Sequence, residues 1–281
     1  MIADFDIDDF VKATLAEDLG TGGDVTSNAT IAADACFSAQ LAVREPVVIA
    51  GLEIAEAFFR ALDADVAIET LASDGDRCPA GTVIMRLTGN ARAMLAAERP
   101  ALNTLQHLSG IATLTRRYVD AIEGTGAVVL DTRKTTPGLR ALEKYATRMG
   151  GAHNHRMRLD DGILIKDNHI AVAGSVGSAV SAAKAANTGL QVQVEVDRTD
   201  QIEEALAAGA DRLLLDNMPP PVLREAVGLV AGRIPLEASG GVRLDTIRAI
   251  AETGVDFISI GRITQSAPAV DIGMDYSLHE S

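Results

Sequence analysis

Apolar and polar positions follow two different regimes along this chain, and the change falls near Gly124. Before it, Phe5, Ile7, Phe10, Val11, Leu15 and Leu19 recur at mixed helical spacing with acids between them, which predicts an amphipathic opening helix over residues 5–18. The stretch GTGGDVTS at 20–27 breaks that helix. Residues 37–43, 66–71 and 82–87 read as short strands, with a helix predicted from about Gly51 to Leu62 and turn chemistry at Asp74-Gly75-Asp76 and Pro79-Ala80-Gly81. The first 105 residues therefore read as an α+β module. A helical pattern begins at about Ala91, is interrupted by Pro100, breaks again at Ser109-Gly110 and runs on to about Glu123, which makes this segment the expected domain junction.

After Gly124, short apolar strands alternate with helices, as parallel βα units do. The predicted strands are 127–131, 162–166, 191–196, 211–215, 234–238 and 255–260. Helices between them carry start and stop signals: Pro137 near the first turn and Gly150-Gly151 at the end of one, Asp200 and Glu203 as a capping-box variant on another. Six strands are clear, with room for one or two more, and the order fits a barrel or a doubly wound sheet.

A length of 281 residues accommodates one large α/β domain with or without a smaller companion. Aromatics are only 3% with no Trp, which removes base-stacking platforms, and a net charge of -14 argues against a nucleic-acid footprint. Cys36 and Cys78 are isolated, with neither metal spacing nor a disulfide framework, which fits a reducing compartment. The acidic start does not read as a signal peptide, and no apolar run approaches the roughly 20 residues of a membrane helix, so a soluble cytoplasmic protein is expected.

Charge changes the picture most between Asp131 and His169, which holds eight Arg or Lys against five Asp or Glu and three of the five histidines. Arg133 and Lys134 follow one apolar run and Lys166 closes another, so these cations are expected at the mouth of a parallel α/β fold, not on a solvated basic face. The other predicted strand ends carry Glu195 and Asp197, Asp216 and Asn217, Ser239-Gly240-Gly241, and Gly261-Arg262. The cationic half, joined by His155 and Arg156, suits a ligand with carboxylates. Glu195 and Asp216 suit a hard cation such as Mg²⁺ bridged to phosphate, and the Gly-rich ends suit a phosphate itself. The bland alternative pairs Arg133 and Lys134 with Asp131 and Asp167 and neutralises Glu195 and Asp216 in turn. His153 and His155 lack further ligands at zinc spacing, and His107 and His279 take no role from sequence.

The segments DTRKTTPGLR, GGAHNHR, LIKDNHI, VQVEVD, LLLDN, EASGG and SAPAVDIGMDY, with EDLGTGGDVT and ERPALNTLQHLSGIAT, resemble the quinolinate phosphoribosyltransferase family over almost the whole chain. The resemblance implies an α/β fold, an incomplete α/β barrel of about seven strands over 106–269 with an N-terminal α+β open-sandwich domain over 1–105, against which a tail at about 270–281 packs. It implies transfer of phosphoribosyl from phosphoribosyl pyrophosphate to quinolinate, giving nicotinate mononucleotide, pyrophosphate and CO2 in de novo NAD biosynthesis, with Mg²⁺. By the family pattern Arg133, His155, Arg156 and Lys166 surround the quinolinate carboxylates, Lys134 lies close to the reacting groups, and Glu195 and Asp216 serve the ribose and metal. Ser239, Gly240, Gly241 and Gly261 match the 5′-phosphate loops, and Arg99 matches an arginine donated to the partner's site in a homodimer or a higher oligomer built on it. The family pattern has Gly where Ala152 and Arg158 stand and His where Gln265 stands. Rival expectations are nicotinate phosphoribosyltransferase, a relative associated with molybdenum transport that binds a different anion, and a Schiff-base aldolase using Lys166.

Overall fold

A computed structural model of the chain describes residues 5–277; the last residues of the tail, His279 among them, lie outside the described residues. The chain forms two compact units, one of Met1–Thr115, Ala141–Gly151 and Ser266–Ser281, the other of Arg116–Arg140 and Ala152–Gln265.

In the first unit, β1 (Cys36–Val43), β3 (Ala67–Thr70) and β5 (Val83–Asn90) join the late strand Ile272–Ser277 in an antiparallel sheet, in the order Ile272–Ser277, β1, β5, β3. A small ribbon pairs β2 (Val47–Val48) with β4 (Arg77–Cys78). Helix Leu52–Leu62 buries Ile54, Ala55, Phe58 and Phe59 on one face, the spacing that made it legible in sequence.

The helix Ala91–Ala121 departs from the sequence expectation, because it runs unbroken through both suspected interruptions. Pro100 lies inside it and forgoes one backbone hydrogen bond. Ser109 and Gly110 are contact residues, not breaks. The Ser109 hydroxyl accepts the Ala50 amide at 3.0 Å, and a Cβ on Gly110 would lie 2.1 Å from the carbonyl oxygen of Pro268. Small residues here admit neighbouring backbone. The supposed break after the opening helix likewise contains a short helix, Val25–Thr30, whose first amides are accepted by the Asp24 side chain.

In the second unit, β6 (Val128–Leu130), β7 (Ile163–Ile165), β8 (Val192–Val196), β9 (Arg212–Asp216), β10 (Leu236–Ser239) and β11 (Phe257–Ser259) form one parallel sheet in the order β6-β11-β10-β9-β8-β7. Beyond β6 a further stave is reduced to one parallel bridge: the His153 amide donates to Val129 at 2.9 Å and the Asp131 amide to His153 at 3.2 Å. The first strand thus lies beside the last, and the others follow in cyclic order with the seam between residue 153 and β7. A doubly wound sheet places its first strand centrally with later strands to both sides; cyclic order is that of a barrel, here incomplete. The predicted Asp200/Glu203 cap is replaced by Gln201, whose side-chain oxygen accepts the amides of Asp197 and Arg198 at 3.0 and 3.2 Å.

Candidate active site

Side chains alternate faces along a strand, so polar residues an even number of positions apart on a barrel strand line one interior column. Gln193 and Glu195 make such a column on β8, Arg212 and Asp216 on β9, and Glu237 and Ser239 on β10. Their upper ends open into a cavity of about 990 Å³ lined only by second-unit residues, among them Arg133, Lys134, His155, Arg156, Lys166, Glu195, Asp216, Ser239, Gly240, Gly241 and Gly261. The sequence-predicted site residues are thereby brought together with two exceptions, of which one is Arg99, exposed on helix Ala91–Ala121 in the first unit, 3.9 Å from Glu98. Asp197, also predicted at a strand end, is exposed outside the lining.

The cationic wall carries electrostatic tension. Burial pushes the Arg156 guanidinium below its ordinary value, and the charge of Arg133 pushes it further, with Asp161 only partly offsetting both. The Nε of Arg133 is buried without a hydrogen-bond partner. Arg156 donates to the Gly162 carbonyl at 2.9 Å, which aims its fork from the loop before β7. That loop is tied by Asp161, which accepts the amides of Met157 and Arg158 at 2.6 and 3.0 Å. Lys134 is held from its backbone, donating to Thr132 Oγ1 at 3.0 Å and accepting from Thr264 Oγ1 at 2.7 Å. Its stem passes over Gly261, where a Cβ would come within 2.7 Å of Lys134 Cδ. A side chain at that position would therefore displace the lysine.

His155 lines the cavity, but its Nε2 turns to the floor and its Nδ1 to the backbone of Arg156. Nδ1 accepts the Arg156 amide at 2.8 Å, while Nε2 lies 3.1 Å from Gln193 Oε1 and 3.5 Å from Glu237 Oε2. The floor centres on Glu237, which is fully buried, accepts from Gln193 at 2.9 Å and stands 2.8 Å from Arg212, although that ion pair lacks hydrogen-bond alignment. Burial raises the Glu237 carboxyl, but hydrogen bonding to His155 and the charge of Arg212 outweigh it, leaving the carboxyl below its ordinary value. Arg212 stacks on the Phe257 ring at 3.8 Å. Sequence reasoning gave these floor residues no role. The signal was present as polar residues at alternate positions of otherwise apolar strands.

On the acidic wall, Glu195 is engaged by Lys166 at 2.9 Å and Asp216 accepts from Asn217 Nδ2 at 2.7 Å. No cluster of three or more His, Cys, Asp or Glu suited to a metal ion occurs among the described residues. Of the departures from the family pattern, Ala152 is buried, Arg158 pairs with Asp160 at 2.9 Å and Gln265 lines the cavity.

Two family models span most of the chain: "Quinolinate phosphoribosyl transferase, N-terminal domain" matches residues 24–109 and "Quinolinate phosphoribosyl transferase, C-terminal domain" matches residues 111–275. The chain belongs to the quinolinate phosphoribosyltransferase family. Among its relatives, "Probable nicotinate-nucleotide pyrophosphorylase (carboxylating)" of Bacillus subtilis is 44% identical over 93% of this chain and 90% of its own length. The "Nicotinate-nucleotide pyrophosphorylase (carboxylating)" of Mycobacterium leprae is 42% identical over 98% of this chain and 100% of its own. Among solved structures, nicotinate-nucleotide pyrophosphorylase from Ehrlichia chaffeensis superposes with a TM-score of 0.94 at 39% identity, covering 98% of this chain and 100% of the other. Human nicotinic acid phosphoribosyltransferase, at 14% identity and a TM-score of 0.61 over 98% of this chain and 74% of its own, shares the fold alone.

Proposed function

We propose that this member of the family is a decarboxylating phosphoribosyltransferase: it joins the ring nitrogen of quinolinate to C1 of phosphoribosyl pyrophosphate, releasing pyrophosphate and CO2 and leaving nicotinate mononucleotide for de novo NAD synthesis. The observation that carries the reading is the cationic wall. Arg133 and Arg156 are held close enough to depress Arg156, and a buried N–H is left without a partner, a cost that a ligand with two carboxylates removes. Arg133, Arg156 and Lys166 bind the dianion, and His155, braced from the floor, shapes the pocket between them. Ser239, Gly240, Gly241 and Gly261 accommodate the ribose phosphate, and Lys134, over Gly261, meets the departing phosphates.

As pyrophosphate leaves, positive charge develops on the sugar, and Glu195 and Asp216 stabilise it. Bond formation leaves the ring nitrogen positively charged, so the electron pair of the adjacent C–CO2 bond is accepted into the ring as CO2 departs, and a proton then takes the vacated carbon. Mg²⁺ fits this donor set: two carboxylates at neighbouring strand ends and no third protein ligand match an ion that completes its shell with water and phosphate oxygens. Glu195 and Asp216 would hold it with the substrate, and it would neutralise phosphate charge.

The reading extends to a cytoplasmic homodimer in which Arg99 reaches the partner's pocket. The test is consumption of quinolinate with phosphoribosyl pyrophosphate, measured with and without Mg²⁺ and with nicotinate in parallel. Release of CO2 and pyrophosphate in equal amounts, dependent on Mg²⁺, is expected. Turnover of nicotinate with quinolinate inert would overturn the assignment in favour of the non-decarboxylating reaction.

A further inference from the structure

The end of β9 contains a residue whose geometry exceeds what a turn requires. Asn217 has φ 54, in the left-handed region that costs a side-chain-bearing residue energy and in which Asn is among the few tolerated. Three of its polar groups are engaged or enclosed. The backbone amide donates across to Ser239 on β10 at 2.8 Å, extending the register in which Asp216 faces Ser239. Nδ2 donates to Asp216 Oδ2 at 2.7 Å. Oδ1 then faces Gly240, where a Cβ would lie 2.1 Å from it and 2.5 Å from Cγ. Gly240 itself has φ 92. The glycine thus leaves room for the amide that orients the neighbouring carboxylate.

We infer that Asn217 is a positioning residue for the transfer: its amide fixes the orientation of the Asp216 carboxylate in the cavity, and its packing on Gly240 couples that carboxylate to the glycine loop after β10. The inference rests on the reading in which Asp216 acts at the ribose. A residue present only for its left-handed backbone could be replaced by Gly or Asp without consequence, since both tolerate that conformation. A positioning residue could not. Gly keeps the backbone and removes the donor. Asp keeps the shape but replaces the donor with a second anion beside Asp216.

Steady-state kinetics and quinolinate calorimetry on Asn217→Gly, Asn217→Asp, Gly240→Ala, the Asn217→Gly/Gly240→Ala double variant and Asp216→Ala test it. Asn217→Gly is expected to lower kcat/KM for phosphoribosyl pyrophosphate by about 10- to 100-fold, the loss of one hydrogen bond to a charged group, with Asn217→Asp lower still and quinolinate affinity within about twofold of wild type. Gly240→Ala is expected to cost less in the Asn217→Gly background than in wild type, because the two side-chain atoms it strikes hardest, Oδ1 and Cγ, are gone while only the backbone nitrogen at 3.0 Å remains. If Asp216→Ala is fully active, the reading of Asp216 fails. If Asp216→Ala is impaired while Asn217→Gly and Asn217→Asp keep wild-type kinetics for phosphoribosyl pyrophosphate, the positioning role is overturned, and additive costs in the double variant overturn the coupling to the loop. Should Asn217→Asp fail to fold by circular dichroism, the folded Asn217→Gly protein decides in the same two directions.

Discussion

The two walls of the cavity are built on opposite electrostatic terms. On the cationic wall, two guanidinium groups are held together against their repulsion and one buried N–H is left unsatisfied. On the acidic wall, each carboxylate already has a partner, Lys166 for Glu195 and Asn217 for Asp216. An unmet demand is relieved by ligand and so yields binding energy. A group already satisfied gains little from the ground-state ligand and is free to act on charge that appears only during reaction. On the proposed reading, the contrast places affinity for quinolinate on one side of the pocket and rate on the other.

The largest break in this contrast is expected from Arg133→Ala or Arg156→Ala, which should weaken quinolinate binding by roughly 2–5 kcal/mol in calorimetry. Normal binding by either variant would remove the carboxylate role of that wall. Next in size, Glu195→Ala and Asp216→Ala should lower kcat about a hundredfold while leaving the quinolinate Kd close to wild type; a loss confined to Kd would reverse the assignment of the two walls.

A third experiment asks whether the cationic wall is completed by another chain. Arg99→Ala and Lys134→Ala proteins, each inactive alone, are mixed and allowed to exchange subunits. If Arg99 serves the partner's pocket, one site of the mixed dimer inherits both defects and the other neither, and activity should return to about a quarter of wild type. No recovery, in samples shown by mass spectrometry to contain mixed dimers, would place Arg99 in the service of its own chain.

The smallest effect concerns the loop that carries Arg156. Burial raises the Asp161 carboxyl, but the Arg158 and Met157 amides more than compensate, so its folded value lies below 3.8. A depressed acid stabilises the fold above its ordinary value and loses that contribution as pH falls through the folded one. Asp161→Asn should therefore lower Tm by a few degrees at most, since the group is solvent-exposed. That difference should be constant from about pH 7 to pH 5 and shrink as the pH falls toward and below 3.8. A difference that grows in acid would show that the loop is not tied through this carboxylate.

Much of the site was legible because its residues follow apolar runs, and an apolar run in a parallel fold delivers whatever comes next to one rim. Arg133, Lys166, Glu195 and Asp216 were found in this way. Glu237, Gln193 and Arg212 were not, because single polar residues inside short strands read as noise until the strands close into a barrel and their shared face becomes an interior. Closure itself depends on β6 pairing with β11, a contact between distant segments to which local periodicity is blind. Pro100 and Ser109-Gly110 misled for a related reason. They are breakers by local propensity, but Gly110 and Ser109 serve close contacts with chain at Pro268 and Ala50.

The strand Ile272–Ser277 pairs with β1 from Ser38 to Val43, and the ion pair between Arg44 and Asp275 beside it spans 231 positions of sequence. On a ribosome adding roughly 5–20 residues per second, the outer edge of β1 therefore waits on the order of 10 to 50 s for the strand that covers it. During that interval the nascent chain displays an open row of backbone donors and acceptors, the kind of edge that other chains can extend. In the living cell the vulnerable moment of this protein lies in its synthesis, and the pairing of Ile272–Ser277 with β1 brings that moment to an end.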